Sequence, residues 1–180
     1  MRMRADQSCL LVVDIQERLA PAVRDPQAVV ANTERLLRGA ACLSIPVLVS
    51  EQYPHGIGET VPALRSLLPA GAVVEKIHFS CLDDAGYATR LRSLQRRQAV
   101  VAGMEAHVCV LQTAEGLIEA GYDVFVVADA VSSRVPANHD RALQRLSTDG
   151  AHIVSTEMVL FEWLNKAGTP VFKELMALIK

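Results

Sequence analysis

Three residues of types that carry covalent and proton-transfer chemistry stand at the ends of apolar runs: Asp14, Lys76 and Cys109. Cys109 lies in Gly103-Met-Glu-Ala-His-Val-Cys109, where the apolar run Gln98–Gly103 meets an amphipathic segment that continues to Gly121. Read as strand, turn and helix, this places the thiol in the first turn of a helix at the carboxyl edge of a sheet. Helix N-termini carry partial positive charge and unpaired N–H groups. A thiol placed there is expected to ionise more readily and to have oxyanion donors close by. Asp14 closes the run Cys9-Leu-Leu-Val-Val-Asp14, and Lys76 closes Ala72-Val-Val-Glu-Lys76. A carboxylate beside a thiol can accept its proton, and a nearby ammonium keeps that carboxylate charged and favours the thiolate. Taken singly, each residue has an ordinary reading. A cysteine among valines packs as a small hydrophobe, an aspartate at a strand end caps the next helix, and a lysine there is solvated. Their coincidence at three sheet edges points to a site.

The elements that must bring them together are short β-branched runs alternating with segments of helical period. Strands are expected over Cys9–Asp14, Pro46–Ser50, Ala72–Lys76, Ala99–Ala102, Asp123–Ala128 and Ala151–Ser155. Helices are expected over Gln27–Leu43, Val61–Leu68, Tyr87–Arg97, His107–Ala120, Pro136–Asp149, Thr156–Asn165 and Pro170–Ile179, with a glycine-containing loop over Glu51–Thr60. Continuous apolar strands joined by helical crossovers imply a parallel sheet covered on both faces. The fold class is therefore α/β: a doubly wound, six-stranded, mainly parallel sheet of order 3-2-1-4-5-6. In that order the first and fourth strands are neighbours at the switch point, where such folds place their sites. Asp14 and Cys109 would face one crevice, and Lys76 would reach in from two strands away.

Bulk properties narrow the function classes. A chain of 180 residues with 51% hydrophobic and 21% charged residues forms one globular domain, 1–180. The net charge of −2, with no basic stripe, argues against a nucleic-acid binder. Cys9, Cys42, Cys81 and Cys109 show neither C-x-x-C nor zinc-ligand spacing and read as reduced thiols of a cytoplasmic protein. Asp14, Glu17 and Arg18 interrupt the first apolar run too early for a signal peptide, and no stretch is long enough to span a membrane.

At this point the chain resembles the isochorismatase-like cysteine hydrolase superfamily, which includes nicotinamidases and carbamoyl-amide hydrolases. The similarity is carried by Leu10-Leu-Val-Val-Asp-Ile-Gln16, Val74-Glu-Lys-Ile-His-Phe-Ser80, Gly103-Met-Glu-Ala-His-Val-Cys-Val-Leu-Gln-Thr113 and Val127-Ala-Asp-Ala-Val-Ser-Ser133, and it runs over nearly the whole chain. Ser50-Glu-Gln-Tyr-Pro-His-Gly-Ile-Gly-Glu-Thr-Val-Pro62 narrows it to the isochorismatase-domain-containing branch. The resemblance implies Cys109 as nucleophile, Asp14 as its proton acceptor and Lys76 as the residue that orients Asp14. It also implies a cis Met104–Glu105 peptide, with the backbone N–H groups of Glu105 and Cys109 forming an oxyanion hole. Gln16, Tyr53 and Phe79 are expected to line the substrate pocket. Glu105 stands where nicotinamidases have a small residue and Ala106 where they have threonine, which turns the expectation away from nicotinamide.

The expected activity is hydrolysis of a small amide-type C–N or related carbonyl substrate through a thioester. Isochorismatase-type vinyl ether hydrolysis is the alternative within the fold, and a non-catalytic or redox-responsive interaction protein is the alternative outside enzymology. A dinucleotide oxidoreductase is excluded because the first strand runs into Asp14-Ile-Gln-Glu-Arg18 without a glycine-rich phosphate turn. No cofactor is expected. Metal is not expected either, since Glu51 and His55 alone do not make a ligand set. The partner is a small-molecule substrate. The closing helix Val171–Ile179 is expected to pack either in the core or on another copy in a homo-oligomer.

Overall fold

A computed structural model describes residues 1–179. Six strands, β1 (Ser8–Val13), β2 (Val47–Gln52), β3 (Val73–Lys76), β4 (Gln98–Met104), β5 (Asp123–Ser132) and β6 (His152–Val154), form one sheet of order β3-β2-β1-β4-β5-β6. Every pairing is parallel. The helices are α1 (Pro26–Cys42), the single turns α2 (Pro54–Ile57) and α3 (Pro62–Arg65), α4 (Ala85–Ser93), α5 (Leu111–Glu119), α6 (Pro136–Thr148), α7 (Thr156–Leu164) and α8 (Pro170–Ile179). The expected order and class hold. Among the described residues, no helix is long and apolar enough to cross a membrane.

Alternation along the strands divides the core in two. Leu10, Val12, Val49, Val100, Ala102, Phe125 and Val127 face α1 and α7, where Leu36, Leu37, Leu160 and Trp163 meet them. Cys9, Leu11, Val13, Leu48, Ala99, Val101, Val124 and Val126 face α4, α5 and α6 through Tyr87, Leu91, Ala114, Leu117 and Leu146. Both faces being covered explains why these strands read as unbroken apolar runs. The closing helix joins the core side: Leu175 is buried and Ile179 packs against the first cluster.

Several element ends depart from expectation, each for a hydrogen-bonding reason. β2 continues two residues past Ser50, because Glu51 and Gln52 pair with Glu75 and Lys76 of β3. β5 runs to Ser132 rather than Ala128. Its ladder with β4 breaks between Val101 and Gly103 and resumes as Gly103 with Val131 and Met104 with Ser132. α4 ends at Ser93, since Gln95 takes a left-handed backbone (φ 52°). The loop Glu51–Thr60 is more ordered than expected: α2 lies within it, and Gln16 bridges to Thr60.

Gly103 sets the closeness of the two central strands at their carboxyl ends. It pairs with Val13 and has φ +148°, and a Cβ there would fall 2.2 Å from the Val13 carbonyl oxygen. Only a residue without a side chain permits this approach. Gly103→Ala is expected to lower stability by about 1–3 kcal/mol or more through overpacking and backbone strain, visible as a fall in thermal midpoint of several degrees. An unchanged midpoint would contradict this reading of the β1–β4 junction.

Candidate active site

β1 ends at Val13, and the chain turns at Asp14, which adopts a left-handed conformation (φ 54°) that aspartate tolerates better than most residues. Its N–H donates to the Ser50 carbonyl (3.2 Å) and its carbonyl accepts from Gln16 N–H (2.9 Å). Within this turn the carboxylate is fully buried and held from both sides. Lys76 Nζ donates to Oδ2 at 2.8 Å, and Ser50 Oγ donates to Oδ1 at 2.7 Å. Lys76 ends β3, two strand spacings or roughly 9–10 Å from β1, and only its long stem covers that distance. On the way it donates to Gln52 Oε1 at 2.6 Å and to the carbonyls of His78 (3.1 Å) and Phe79 (3.2 Å).

The nucleophile candidate follows β4. The Met104–Glu105 peptide is cis. The next turn is wide: the N–H of Val110 reaches back five residues to the Glu105 carbonyl at 3.2 Å, and that of Val108 donates to the same oxygen at 3.1 Å. Cys109 therefore sits in a π-type turn, Ala106–Val110, ahead of α5, rather than in the first turn of a regular α-helix. The three expected residues are together: the Cys109 thiol interacts with Asp14 by hydrogen bonding and charge, and with Lys76 by charge.

The thiol's ionisation is a correction to the sequence-based expectation. A helix start and a nearby lysine were expected to favour thiolate. Burial instead pushes the Cys109 thiol well up, the Asp14 carboxylate adds to that, and Lys76 only partly opposes it. Burial likewise raises the Asp14 carboxyl above the ordinary carboxylate range against the pull of Lys76. Burial pulls the Lys76 ammonium down, but Asp14, Cys81 and Cys109 more than offset this, so its net shift is upward. Burial thus disfavours the charged forms of both the thiol and the carboxyl, and Lys76 favours the anion of Asp14.

The remaining expected residues divide. Gln16 is fully buried, and its amide is committed to backbone: Nε2 donates to the carbonyls of Gln52 (3.0 Å) and Gly58 (2.6 Å), and Oε1 accepts from Gln52 N–H (2.7 Å). It fastens the end of β2 to the loop after α2. Tyr53 and Phe79 are 57% and 54% exposed. Tyr53 N–H donates to the Lys76 carbonyl at 2.9 Å, which ties the residue after β2 to the end of β3. The Glu51 carboxylate is occupied by the N–H and hydroxyl of Thr60 (2.6 and 2.7 Å), and His55 lies on exposed α2. Among the described residues, no group of three or more His, Cys, Asp or Glu could hold a metal ion. A separate cleft of about 370 Å³ lies among Arg24, Asn32, Asp129 and His139, and no triad residue lines it.

Three partners escaped the sequence reading. By pattern Ser50 reads as a strand end and Gln52 as part of the loop 51–60. Arg134, carried forward by the long β5, donates its backbone N–H (2.9 Å) and Nε (3.1 Å) to the buried Glu105 carboxylate. Beside it, Ser133 Oγ lies 2.9 Å from His107 Nδ1. Alternation along β2 could have flagged Ser50 as inward-facing; nothing local pairs Arg134 with Glu105.

An Isochorismatase domain model matches residues 8–158. The chain is 37% identical to the "Secreted isochorismatase effector Isc1" of Phytophthora sojae, over 99% of this chain and 87% of the effector. It is 40% identical to "Isochorismatase domain-containing protein 1" of Danio rerio over 96% of this chain, and spans 61% of that protein's length. Among solved structures, the "MAR1 Ribonuclease" of Caenorhabditis elegans superposes with a TM-score of 0.93 at 35% identity, covering 99% of this chain and 92% of that one. The Escherichia coli YcaC gene product, described as an octameric hydrolase of unknown specificity, gives 0.93 at 25% identity, covering 99% and 90%.

Removing the Lys76 charge leaves Asp14 buried without its cation. Lys76→Met is expected to cost about 3–5 kcal/mol at neutral pH. Because the folded-state Asp14 carboxyl then lies further above its unfolded value, the neutral acid supports the fold at low pH and that support is lost as pH rises through the folded pKa. The deficit relative to wild type should therefore narrow toward pH ~4 in urea denaturation. A deficit independent of pH would contradict the assignment.

Proposed function

The chain belongs to the isochorismatase family, and from that premise we propose that it is a cysteine-dependent hydrolase of a small amide-type or related carbonyl substrate. The observation that carries this reading is the contact set of Asp14, Lys76 and Cys109 at the β1–β4 switch point. Asp14 accepts the thiol proton as Cys109 sulfur bonds to the carbonyl carbon, and the carbonyl electron pair moves to oxygen. The backbone N–H groups of Glu105 and Cys109 receive that oxyanion; removal of one such donor in other enzymes costs about 3–4 kcal/mol. The C–N bond breaks, the leaving nitrogen takes the proton from Asp14, and a thioester remains on Cys109. Water then attacks the thioester with Asp14 as base, and the proton returns to sulfur. Lys76 holds Asp14 in place and favours its anion before each proton transfer.

The suppressed ionisation of the Cys109 thiol supports this order of events. A thiol that shares a buried site with a carboxylate does not stand as thiolate in the free enzyme, so proton transfer and attack are coupled to substrate entry. Burial supports a small substrate: Asp14 is 0%, Lys76 2% and Cys109 6% exposed, so Cys109 is the most accessible of the three. The name of the nematode neighbour speaks of ribonuclease, but an RNA strand needs an open, basic track, which suits neither this closed triad nor a net charge of −2.

Exposed Tyr53, Ile77 and Phe79 flank the end of β3 and offer apolar surface for assembly with further copies; the octameric neighbour supports a homo-oligomer. The mechanism requires a free thiol, which a reducing cytoplasm maintains, and the reading places the working enzyme there, although the oomycete relative is named as secreted.

A turnover screen over small amides, ureas, esters and isochorismate tests the reading. Wild-type protein should hydrolyse a carbonyl substrate and show an acyl adduct on Cys109 by mass spectrometry. Cys109→Ala should lose at least about a thousandfold in kcat, as loss of a nucleophile does elsewhere, with an unchanged circular dichroism spectrum. Full turnover by Cys109→Ala would reject it, and activity confined to isochorismate and indifferent to Cys109 would establish vinyl ether hydrolysis instead.

A further inference from the structure

We propose that Ser50 is a positioning residue that lets Asp14 act as a reversible proton carrier, donating to the carboxylate before proton transfer and accepting from the carboxylic acid after it. The inference rests on the nucleophile reading above and concerns the same site.

Its basis is the unequal chemistry of the two groups that hold Asp14. Lys76 Nζ, 2.8 Å from Oδ2, has only hydrogens to offer and favours the anion alone. Ser50 Oγ, 2.7 Å from Oδ1, is a hydroxyl with one hydrogen and two lone pairs. It can therefore partner Asp14 in both of its protonation states by rotating about its own C–O bond. Ser50 is fully buried, so no water replaces it. Its backbone is fixed as well: Val13 pairs with Ser50 across β1 and β2, and the Ser50 carbonyl accepts the Asp14 N–H. Backbone and side chain of one residue thus grip the turn that presents the carboxylate.

A buried thiol that the mechanism does not use completes the arrangement. Cys81, at the start of the short turn Cys81–Asp83, is fully buried, with its N–H held by Thr113 Oγ1 at 3.0 Å. Its side chain interacts with the Ser50 hydroxyl, and burial together with Asp14 keeps it protonated, with a pKa pushed up to about 11. Its sulfur is a weak acceptor for the Ser50 hydrogen when Asp14 carries the proton. The balance is simple. The proton of Cys109 moves to Asp14, Ser50 keeps its own hydrogen and turns it from Oδ1 toward Cys81, and no group gains or loses a further proton. The titratable groups that act on Asp14 or feel its charge are Lys76 at the end of β3, Cys109 in the π-type turn, Cys81 and, from α4, the buried Tyr87. Of the two side chains that hold the carboxylate from β2 and β3, Ser50 and Lys76, only Ser50 can both donate and accept.

The test uses iodoacetamide, whose alkylation of Cys109 needs the thiol proton to leave but no knowledge of the substrate. Sulfur displaces iodide, a C–S bond forms, and the proton goes to Asp14. Rates at Cys109 are read by peptide mass spectrometry across pH in a Cys42→Ser background, which removes the half-exposed thiol. Ser50→Ala should slow Cys109 alkylation about 10- to 100-fold near neutral pH, the loss of one hydrogen bond to a charged group. Without the donor the Asp14 anion is less favoured, so the acid limb of the profile should move to higher pH. Ser50→Thr should restore both rate and limb, and Cys81→Ala should shift them less, in the same direction. A Ser50→Ala profile equal to wild type, or a slowed one with an unmoved limb that Ser50→Thr fails to restore, would overturn the role of Ser50 while Cys109 remains the reactive thiol. Absence of preferential Cys109 labelling in the parent would instead overturn the nucleophile reading and this one with it.

Discussion

The ammonium of Lys76 and the carboxylate of Asp14, 2.8 Å apart with neither side chain exposed, form the contact on which the rest of the site depends. Taking two charges out of water costs several kcal/mol each, and their mutual attraction offsets this only when the other lone pairs and protons are satisfied. Here they are. Ser50 takes the second carboxylate oxygen, and Gln52 and two backbone carbonyls share the two remaining hydrogens of the Lys76 ammonium. The pair ties the end of β3 to the end of β1 across β2, so the three strands on one side of the switch point share one polar anchor. The Gln16 amide and the Glu51–Thr60 contact then fasten the intervening loop to the same strand ends.

That anchor also bears on the state of Cys109. A cysteine near a helix start is often an activated thiolate, and local sequence points that way. The environment reverses it. Low polarity penalises the thiolate, and the carboxylate beside it already carries the negative charge that Lys76 supports. The surroundings thus favour one negative charge on Asp14 over a second on the neighbouring sulfur. A second carboxylate, Glu105, lies at the turn after the cis peptide, with its charge matched by Arg134 from just beyond β5. Charge in this crevice is therefore paired group by group, which keeps the field at Cys109 set by Asp14 and Lys76.

Much of the architecture was legible because each element obeys a local rule. Apolar runs such as Leu10–Val13 and Val124–Val127 read as buried strands, and their alternation with helical segments implied a parallel, doubly wound sheet of the observed order. Asp14, Lys76 and Cys109 were legible as residues of the right type at strand ends. The errors fall where hydrogen bonding at a distance overrides local pattern. β5 looked finished at Ala128 because its continuation depends on resuming pairing with Gly103 and Met104 beyond an irregular stretch. Gln16 looked like a pocket residue because its motif is local, while the backbone groups that consume its amide lie more than thirty residues away.

The chain's residues by themselves determined which chemistry was available: one thiol, one carboxylate and one amine near the ends of three strands. Periodicity alone carried that much, because strand and helix patterns are short-range properties. Tertiary structure decided what the chemistry would be. Dielectric, register and proximity are properties of the assembled sheet, and they turned Ser50 from a strand terminus into a hydrogen-bond donor to Asp14 and gave Cys109 buried, carboxylate-flanked surroundings that oppose the expected thiolate. No local signal could convey either, since both depend on how little water and how much opposing charge surround an atom once the strands are side by side.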